Sequence, residues 1–125
     1  SWSEIKVPPY PRPSRRRTHS AVIHNDCMYI FSGWNGEEYF DDMWEFNFGA
    51  WALIKHLHGI VVLTKISEHR RWSLVHTTGD KPTGRQLHTS VMHDGEMWVF
   101  GGYDSNAFYN DLHKFNFGTN YLKPI

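Results

Sequence analysis

The chain has 125 residues, and its 13 basic and 13 acidic side chains balance, so it lacks the basic excess of a typical nucleic-acid-binding module. Its longest apolar-leaning stretch, residues 50–66, is interrupted by lysines and histidines and is too short to span a bilayer, which needs roughly 20 apolar residues. The aromatic content of 16%, with scattered Gly and Pro, favours β-structure over a helical bundle. The single cysteine, Cys27, cannot form an internal disulfide, and this predicts a reducing compartment, the cytoplasm.

The N-terminal segment resembles a later part of the same chain. Residues 2–5 read WSEI and residues 72–75 read WSLV, and each is followed by a Pro-bearing loop and then by an Arg and a His. We therefore predict that residues 1–15 are the end of a preceding structural unit and a linker. By this interpretation Trp2 and Trp72 pack between units.

The first complete unit is predicted to cover residues 16–76. Its apolar runs indicate strands over residues 19–24 and 28–31, joined by a turn at Asn25-Asp26. Gly33 ends the second strand, because a residue without Cβ lets the chain turn. A third strand is predicted over residues 43–48, and a fourth opens at Trp72.

The second unit repeats the first without a gap. Residues 16–48 align with residues 85–117 at an offset of 69, and 11 of the 33 positions are identical, where average composition gives roughly two by chance. The same reasoning predicts strands over residues 88–93, 97–100 and 112–117, with Asp94-Gly95 as the first turn. We assign residues 77–125 to this unit and expect it to be incomplete, with three strands.

The repeated pattern resembles the Kelch repeat. The residues that carry the resemblance are Arg16, His19, Gly33, Asp41, Asp42, Met43, Phe46 and Trp72 in the first unit, and Arg85, His88, Gly101, Gly102, Asn110, Asp111, Leu112 and Phe115 in the second. Ser32 stands where the pattern usually has Gly. The linkage of Trp72, Gly79, Pro82 and Arg85 looks like the subgroup that contains the leucine-zipper-like regulator and the Rab-effector Kelch proteins.

The resemblance implies an all-β fold: a partial β-propeller with about two four-stranded antiparallel blades. Kelch repeats have a period of about 50 residues, so the offset of 69 leaves an excess that we place at residues 49–67. Two interpretations of these residues stay open. They are either a genuine loop extension, for example a hairpin around Gly59, or sequence foreign to the fold, such as translated intron.

Most of the repeated residues are predicted to be structural: His19, Gly33, Asp42, Trp72, His88, Gly101, Gly102 and Asp111. His19 and His24 lie five residues apart, on opposite faces of a strand, so they do not form a joint ligand set. His56 and His58 could share a face, but no Cys or carboxylate lies nearby at ligand spacing. We predict no metal and no cofactor. Arg12 and residues 15–17 form a short basic cluster that we interpret as a solvated loop.

The loops between the second and third strands are the candidate partner-binding rim. They mix large aromatics with polar groups, a composition that protein interfaces favour. The resemblance adds an Arg at the start of each unit, which in Kelch adaptor proteins often contacts acidic ligands. The candidate residues are Arg16, Trp34, Asn35, Glu38 and Tyr39, and Arg85, Tyr103, Asp104, Asn106 and Phe108.

The predicted function is a non-catalytic interaction module, a scaffold or adaptor that binds another protein or an acidic or turn-forming peptide. Its partners would also include further blades, in a longer chain or an assembly, but neither nucleic acid nor membrane. One alternative is a cofactor-dependent enzyme, since Kelch-like propellers occur in copper oxidases and plant specifier proteins, although no hydrolase, P-loop or Cys-x-x-Cys motif is present. Another is a truncated or mis-predicted gene product without stable independent function.

Overall fold

A computed structural model describes residues 1–49 and 70–118, together with the backbone of strands in residues 51–57, 60–65 and 121–124. Within this part of the chain all regular structure is β, and no helix that could span a bilayer occurs. The strands are β1 Ser20–His24, β2 Cys27–Phe31, β3 Met43–Asn47, β4 Trp51–Leu57, β5 Ile60–Lys65, β6 Arg71–Leu74, β7 Thr78–Gly79, β8 Thr89–His93, β9 Glu96–Tyr103, β10 Phe108–Asn116 and β11 Tyr121–Pro124.

The first sheet has the strand order β1-β2-β3-β6 and is antiparallel throughout. Asn25 and Asp26 join β1 to β2 with φ values of 47° and 60°. Two consecutive residues in this region form a turn whose twist matches that of the strands. Trp72 pairs with Phe46, as the prediction of a fourth strand beginning at WSLV requires.

The second sheet has the order β7-β11-β10-β9-β8. Asp94 and Gly95 form its first turn with φ values of 49° and 74°. The prediction of only three strands for this unit was wrong, because Tyr121–Pro124 pairs with β10 as a fourth strand, and Leu122 lies opposite Phe115. Phe46 and Phe115 are repeat mates, so Leu122 occupies the position that Trp72 holds in the first sheet. β7 adds a short parallel edge.

The predicted insertion contains β4 and β5, which pair with each other as a separate two-stranded antiparallel sheet. Gly59, around which a hairpin was predicted, lies outside the described residues, as do residues 50, 58 and 66–69. Whether residues 49–67 are a genuine extension or foreign sequence stays a prediction with two alternatives.

The core lies between the two sheets. Residues of the first sheet meet residues of the second: Val22, Cys27, Tyr29, Phe31 and Met43 on one side, and Met97, Val99 and Phe115 on the other. The most deeply buried are Phe31, Met43 and Met97 at 1% exposure and Val99 and Phe115 at 0%. The two repeats therefore stack side by side through apolar sheet faces, and the core that fixes their relative position belongs to both.

Polar links supplement this core at the ends of the strands. The Ser32 hydroxyl lies 2.8 Å from the Arg85 carbonyl oxygen and accepts a hydrogen bond from the Arg85 N–H at 3.0 Å. Ser20 and Ser90 share a hydrogen bond of 2.6 Å, and His88 Nε2 lies 2.7 Å from the Ser20 hydroxyl. Ser32 has a φ of 62° and is fully buried. The departure from the Gly-Gly pattern thus supplies a hydroxyl that joins the first unit to the start of the second.

The N-terminal segment was predicted to resemble the end of a preceding blade. Residues 1–8 contain no strand, and the expectation that Trp2 packs between blades was wrong, because its side chain is fully exposed. Ile5 and Val7 instead lie along the outer face of the first sheet. Together with Met28, Phe46, Phe48 and Trp72 they line an apolar groove of about 290 Å³.

Candidate functional site

Four aromatic side chains form a row across the loops of both units. Trp34 stacks on Tyr39 with ring centroids 6.0 Å apart, Tyr39 meets the edge of Tyr103 at 6.5 Å, and Tyr103 meets Phe108 at 4.7 Å. We call Trp34, Tyr39, Tyr103 and Phe108 the aromatic row. The step from Tyr39 to Tyr103 crosses from the first unit to the second. Phe108 is 88% exposed, so the row ends in an apolar ring presented to solvent.

Backbone pairing fixes each half of the row. Trp34 forms isolated bridges with Arg17 and with Tyr39, and Phe108 pairs with Tyr103 at the end of the second hairpin. Residues that bridge in this way stand side by side, which is why their rings meet. The loops are therefore built as small hairpin extensions of the sheets, and the aromatic row is held on ordered backbone.

The polar residues of the same loops form turns. Asn35 Oδ1 accepts hydrogen bonds from the backbone N–H groups of Glu37 and Glu38 at 2.8 and 2.9 Å. Its repeat mate Asp104 does the same for residues 106 and 107, at 2.8 and 2.9 Å, and its second oxygen accepts a hydrogen bond from the Tyr109 hydroxyl at 2.6 Å. The Tyr109 hydroxyl and these N–H groups lower the pKa of Asp104. Asn35 and Asp104 therefore shape the loops, whereas the side chains of Glu38 and Asn106 are exposed beside them.

The prediction that Arg85 presents its guanidinium to a partner was wrong. The side chain is only 1% exposed. Its Nη1 and Nη2 atoms donate to the two carboxylate oxygens of Asp111 at 2.6 and 3.0 Å, and Nη1 also donates to the Gly101 carbonyl at 2.9 Å. The guanidinium lies over the Tyr109 ring at 4.1 Å. This bidentate pair consumes the donors that a carboxylate of a partner would need.

Arg16 occupies the equivalent place in the first unit, and the same correction applies to it. Its side chain is 3% exposed and forms a bidentate pair with Asp42. It also donates to the Ser32 carbonyl at 3.0 Å and lies over the Phe40 ring at 4.1 Å. Burial raises the pKa of Asp42, but the hydrogen bonds and positive charge of Arg16 outweigh burial and bring this pKa below its usual value.

The exposed cation at the rim is Arg17, one residue away from the predicted Arg16. Its guanidinium lies over the Trp34 ring, 4.6 Å from the centroid. A shallow cleft of about 240 Å³ is lined by Arg15, Arg16, Arg17, Trp34 and Asn35. Sequence reasoning missed Arg17 because the repeat has Gln86 there and so does not mark the position. One signal could have found it. Neighbouring side chains in an extended segment point to opposite sides, so if Arg16 points inward, Arg17 points to solvent.

The residues predicted to be structural lie within or beside the sheets. Gly33 and Gly102 have φ values of 101° and 105°, and a Cβ at either would approach a backbone carbonyl oxygen to 2.9 Å. Trp72 packs on Phe46 with centroids 5.1 Å apart, and His88 is 8% exposed. Among the described residues no group of three or more His, Cys, Asp or Glu side chains could hold a metal ion. The side chains of His56 and His58 lie outside the described part of the chain.

The two stacked units each have four antiparallel strands, to which the second adds the short parallel edge β7, and they are related by a repeat. Such units are the blades of a β-propeller. The sequence profile of the Kelch motif matches residues 15–54 and 84–121, more than half of the chain. The chain belongs to the Kelch-repeat family, as the sequence pattern predicted.

Several curated proteins resemble the chain over most of its length. The leucine-zipper-like transcriptional regulator 1 homolog of Drosophila melanogaster is 27% identical over 123 residues, which cover 93% of this chain and 11% of that protein. The Rho GTPase-activating protein gacHH of Dictyostelium discoideum is 32% identical over 116 residues, covering 87% of this chain and 6% of that protein. Human Kelch domain-containing protein 10 is 25% identical, with coverages of 90% and 36%.

A solved structure, that of YjhT, superposes on the chain with a TM-score of 0.62 at 24% identity. The superposition covers 95% of this chain and 29% of that one, and it supports the fold alone. The chain spans between 6% and 36% of the length of these four proteins.

Proposed function

We propose that this chain is a non-catalytic protein-interaction module, of the scaffold or adaptor type, that binds an acidic or turn-forming peptide of a partner protein. The observation that carries this proposal is the aromatic row, which crosses from one blade to the next on ordered loops. Tyr and Trp are the residues that most often dominate binding energy at protein interfaces. The proposed site runs from Arg17 over Trp34 and along the row to Phe108.

We assign the contact with an acidic partner to Arg17, and no longer to Arg16 and Arg85. Its guanidinium is exposed, whereas those two are engaged with Asp42 and Asp111. A guanidinium placed over an aromatic ring can still donate hydrogen bonds from its edge to a carboxylate. Arg15, also exposed, lines the same cleft and adds a second positive charge.

The absence of catalysis, the cytoplasmic location and the division of the chain are parts of the same proposal. The Kelch scaffold needs no cofactor to bind a peptide, and the lone Cys27 suits a reducing compartment. We propose residues 1–15 as the end of a preceding blade and linker, residues 16–76 as one blade with the 49–67 insertion, and residues 77–125 as the next.

The experiment is a peptide array. Acidic peptides of about 12 residues built around a Pro-Gly turn are compared with the same peptides carrying Asn and Gln in place of Asp and Glu. We expect the chain to retain the acidic set and to lose binding about 30-fold on Trp34→Ala, the effect of a hot-spot residue worth about 2 kcal/mol. Arg17→Ala should reduce the distinction between the acidic and amide sets, because Arg15 remains in the cleft.

The matched control is Tyr10→Ala. Tyr10 is 86% exposed and belongs neither to the row nor to the cleft, so this variant should bind like the parent chain. Equal binding of the array by the parent and by Trp34→Ala would contradict the proposed site.

A further inference from the structure

Each blade has two flat faces, and only one face of each is covered by the other blade. Cross-strand partners share a face, so the register defines both uncovered faces. We call the free side of the second blade the trailing face, and its apolar positions are Val91, Trp98, Phe100 and Leu112. We call the free side of the first blade the leading face, and its positions are Ala21, Ile23, Met28, Ile30, Trp44, Phe46, Phe48, Trp72 and Leu74.

The trailing face repeats the surface that the first blade presents to the second. Val91 and Phe100 are the repeat mates of Val22 and Phe31, and each is 53% exposed, whereas Val22 is 8% and Phe31 1% exposed. Trp98 corresponds to Tyr29 and Leu112 to Met43, both members of the core between the blades. The trailing face is therefore an apolar surface of the kind that is buried inside this molecule.

The leading face likewise repeats the surface that the second blade presents to the first. Met28 and Phe46 correspond to Met97 and Phe115, which are 1% and 0% exposed. Ile23 at 59%, Phe48 at 41% and Leu74 at 43% leave this face partly open. None of its strand positions carries a charged side chain.

The contacts between the blades have repeat mates that would meet if one face were laid on the other. His24 stacks on Phe117 at 4.2 Å and Phe31 meets the His88 edge at 5.6 Å. The mates of these pairs are His93 with Phe48, and Phe100 with His19.

The electrostatics of the two faces also permit contact. Glu96 and Lys114 of the trailing face pair with each other at 3.0 Å, and Lys123, which lies opposite Lys114 in the register, is a further charged strand position of that face. Glu96 and Lys114 are the repeat mates of Cys27 and Glu45, which lie on the face that the first blade turns toward the second.

We propose that copies of this chain associate head to tail, with the trailing face of one copy on the leading face of the next, in the geometry of the internal contact between the blades. Such a contact joins two different patches and extends until a ring closes. Propellers hold four to eight blades, so copies that each contribute the two described blades would close as two, three or four.

Sedimentation velocity of the full chain over a concentration series tests this. We expect the parent chain to exceed the monomer mass and both Phe100→Asp and Phe48→Asp to be monomers. Tyr10→Asp should assemble like the parent, because Tyr10 is 86% exposed and belongs to neither face. Circular dichroism confirms that the variants fold, and Val91→Lys replaces Phe100→Asp if that variant does not.

An equimolar mixture of the two variants provides the decisive measurement. Phe48→Asp keeps an intact trailing face and Phe100→Asp an intact leading face, so the mixture should form a one-to-one dimer that neither variant forms alone. A parent chain that stays monomeric at every concentration, or a mixture that stays monomeric, would overturn the proposal. Assembly is read without any peptide, so its failure is distinct from a failure of the binding site.

Discussion

The guanidinium groups of Arg16 and Arg85 each bond to a carboxylate and to two backbone carbonyls. Two backbone carbonyls and two carboxylate oxygens, with an aromatic ring against its face, leave a guanidinium little capacity for another ligand. Removing a carboxylate would leave a buried guanidinium without its counter-charge, a loss that costs about 3–5 kcal/mol in a fully buried pair and less here, because Asp42 and Asp111 are 27% and 35% exposed. The repeat of Arg16 and Arg85 therefore reflects a brace that each blade needs, and the proposed recognition of an acidic partner rests on Arg17, whose repeat mate is Gln86.

At the same scale, the burial of His88 leads to a prediction of how the free energy of unfolding changes with pH. Burial, with the Arg85 charge, lowers the pKa of His88 from 6.5 to about 4. The unfolded chain takes up a proton below about pH 6.5 while the folded chain does not until about pH 4, so stability falls as the pH drops through this window. We expect His88→Gln to remove up to about 3 kcal/mol of this dependence, measured by urea unfolding at about pH 7, 5.5 and 4.5.

The control for this prediction is His93→Gln. The His93 side chain is 69% exposed, so this variant removes a histidine without disturbing the core, and its slope is compared with that of His88→Gln. His19, whose pKa burial also lowers, accounts for a residual slope in His88→Gln. Identical slopes in the parent chain and His88→Gln would show that the histidine does not set the acid response.

At the scale of the element, the strands with repeat mates could be predicted and β11 could not. A gapless repeat fixes six strands at once, because each apolar run and each two-residue turn is supported by its counterpart. Tyr121 and Leu122 align with Arg71 and Trp72, but the two pairs have no residue in common. Residues 49–67 also occur only in the first unit, so these two strands are not separated by the offset of 69 residues that relates the other strands. The aromatic row was predictable as a set of residues, but the meeting of Tyr39 with Tyr103 depends on the packing of one blade on the other.

The connection after the third strand leads to a second prediction. Between β10 and β11 there are four residues, 117–120, whereas 48–70 separate β3 from β6. Deleting residues 49–67 leaves residues 48 and 68–70, again four. Loop-closure entropy favours the shorter connection by about 1.5 kcal/mol, so the deletion variant should fold with unchanged or slightly increased stability in urea.

A variant in which a Gly/Ser chain of the same length replaces residues 49–67 separates the effect of length from that of sequence. It should be no more stable than the deletion variant. Loss of folding in both would mean that β4 and β5 contribute to the blade and that residues 49–67 are an integral part of it.

At the scale of the whole molecule, equal positions in the repeat have unequal surroundings. A residue on one face of the first blade meets the second blade, and its mate on the second blade meets solvent. Sequence identity between the repeats reports the position within a blade, not the neighbour. Stability in a stacked array is a sum over blades and the contacts between them, and so the consequence of a substitution here depends on which copy of the repeat carries it.

Phe31 and Phe100 turn this asymmetry into a measurement. Phe31 is 1% exposed between the blades and Phe100 is 53% exposed on the trailing face. Phe31→Ala leaves a cavity in the core and should lower the free energy of unfolding by about 3–5 kcal/mol. Phe100→Ala removes a ring that is half in solvent and should cost less than about 1 kcal/mol, measured by urea unfolding at a concentration where the chain is monomeric. Equal losses at the two positions would mean that the repeats do not stack through these faces, because only stacking makes one mate buried and leaves the other in water.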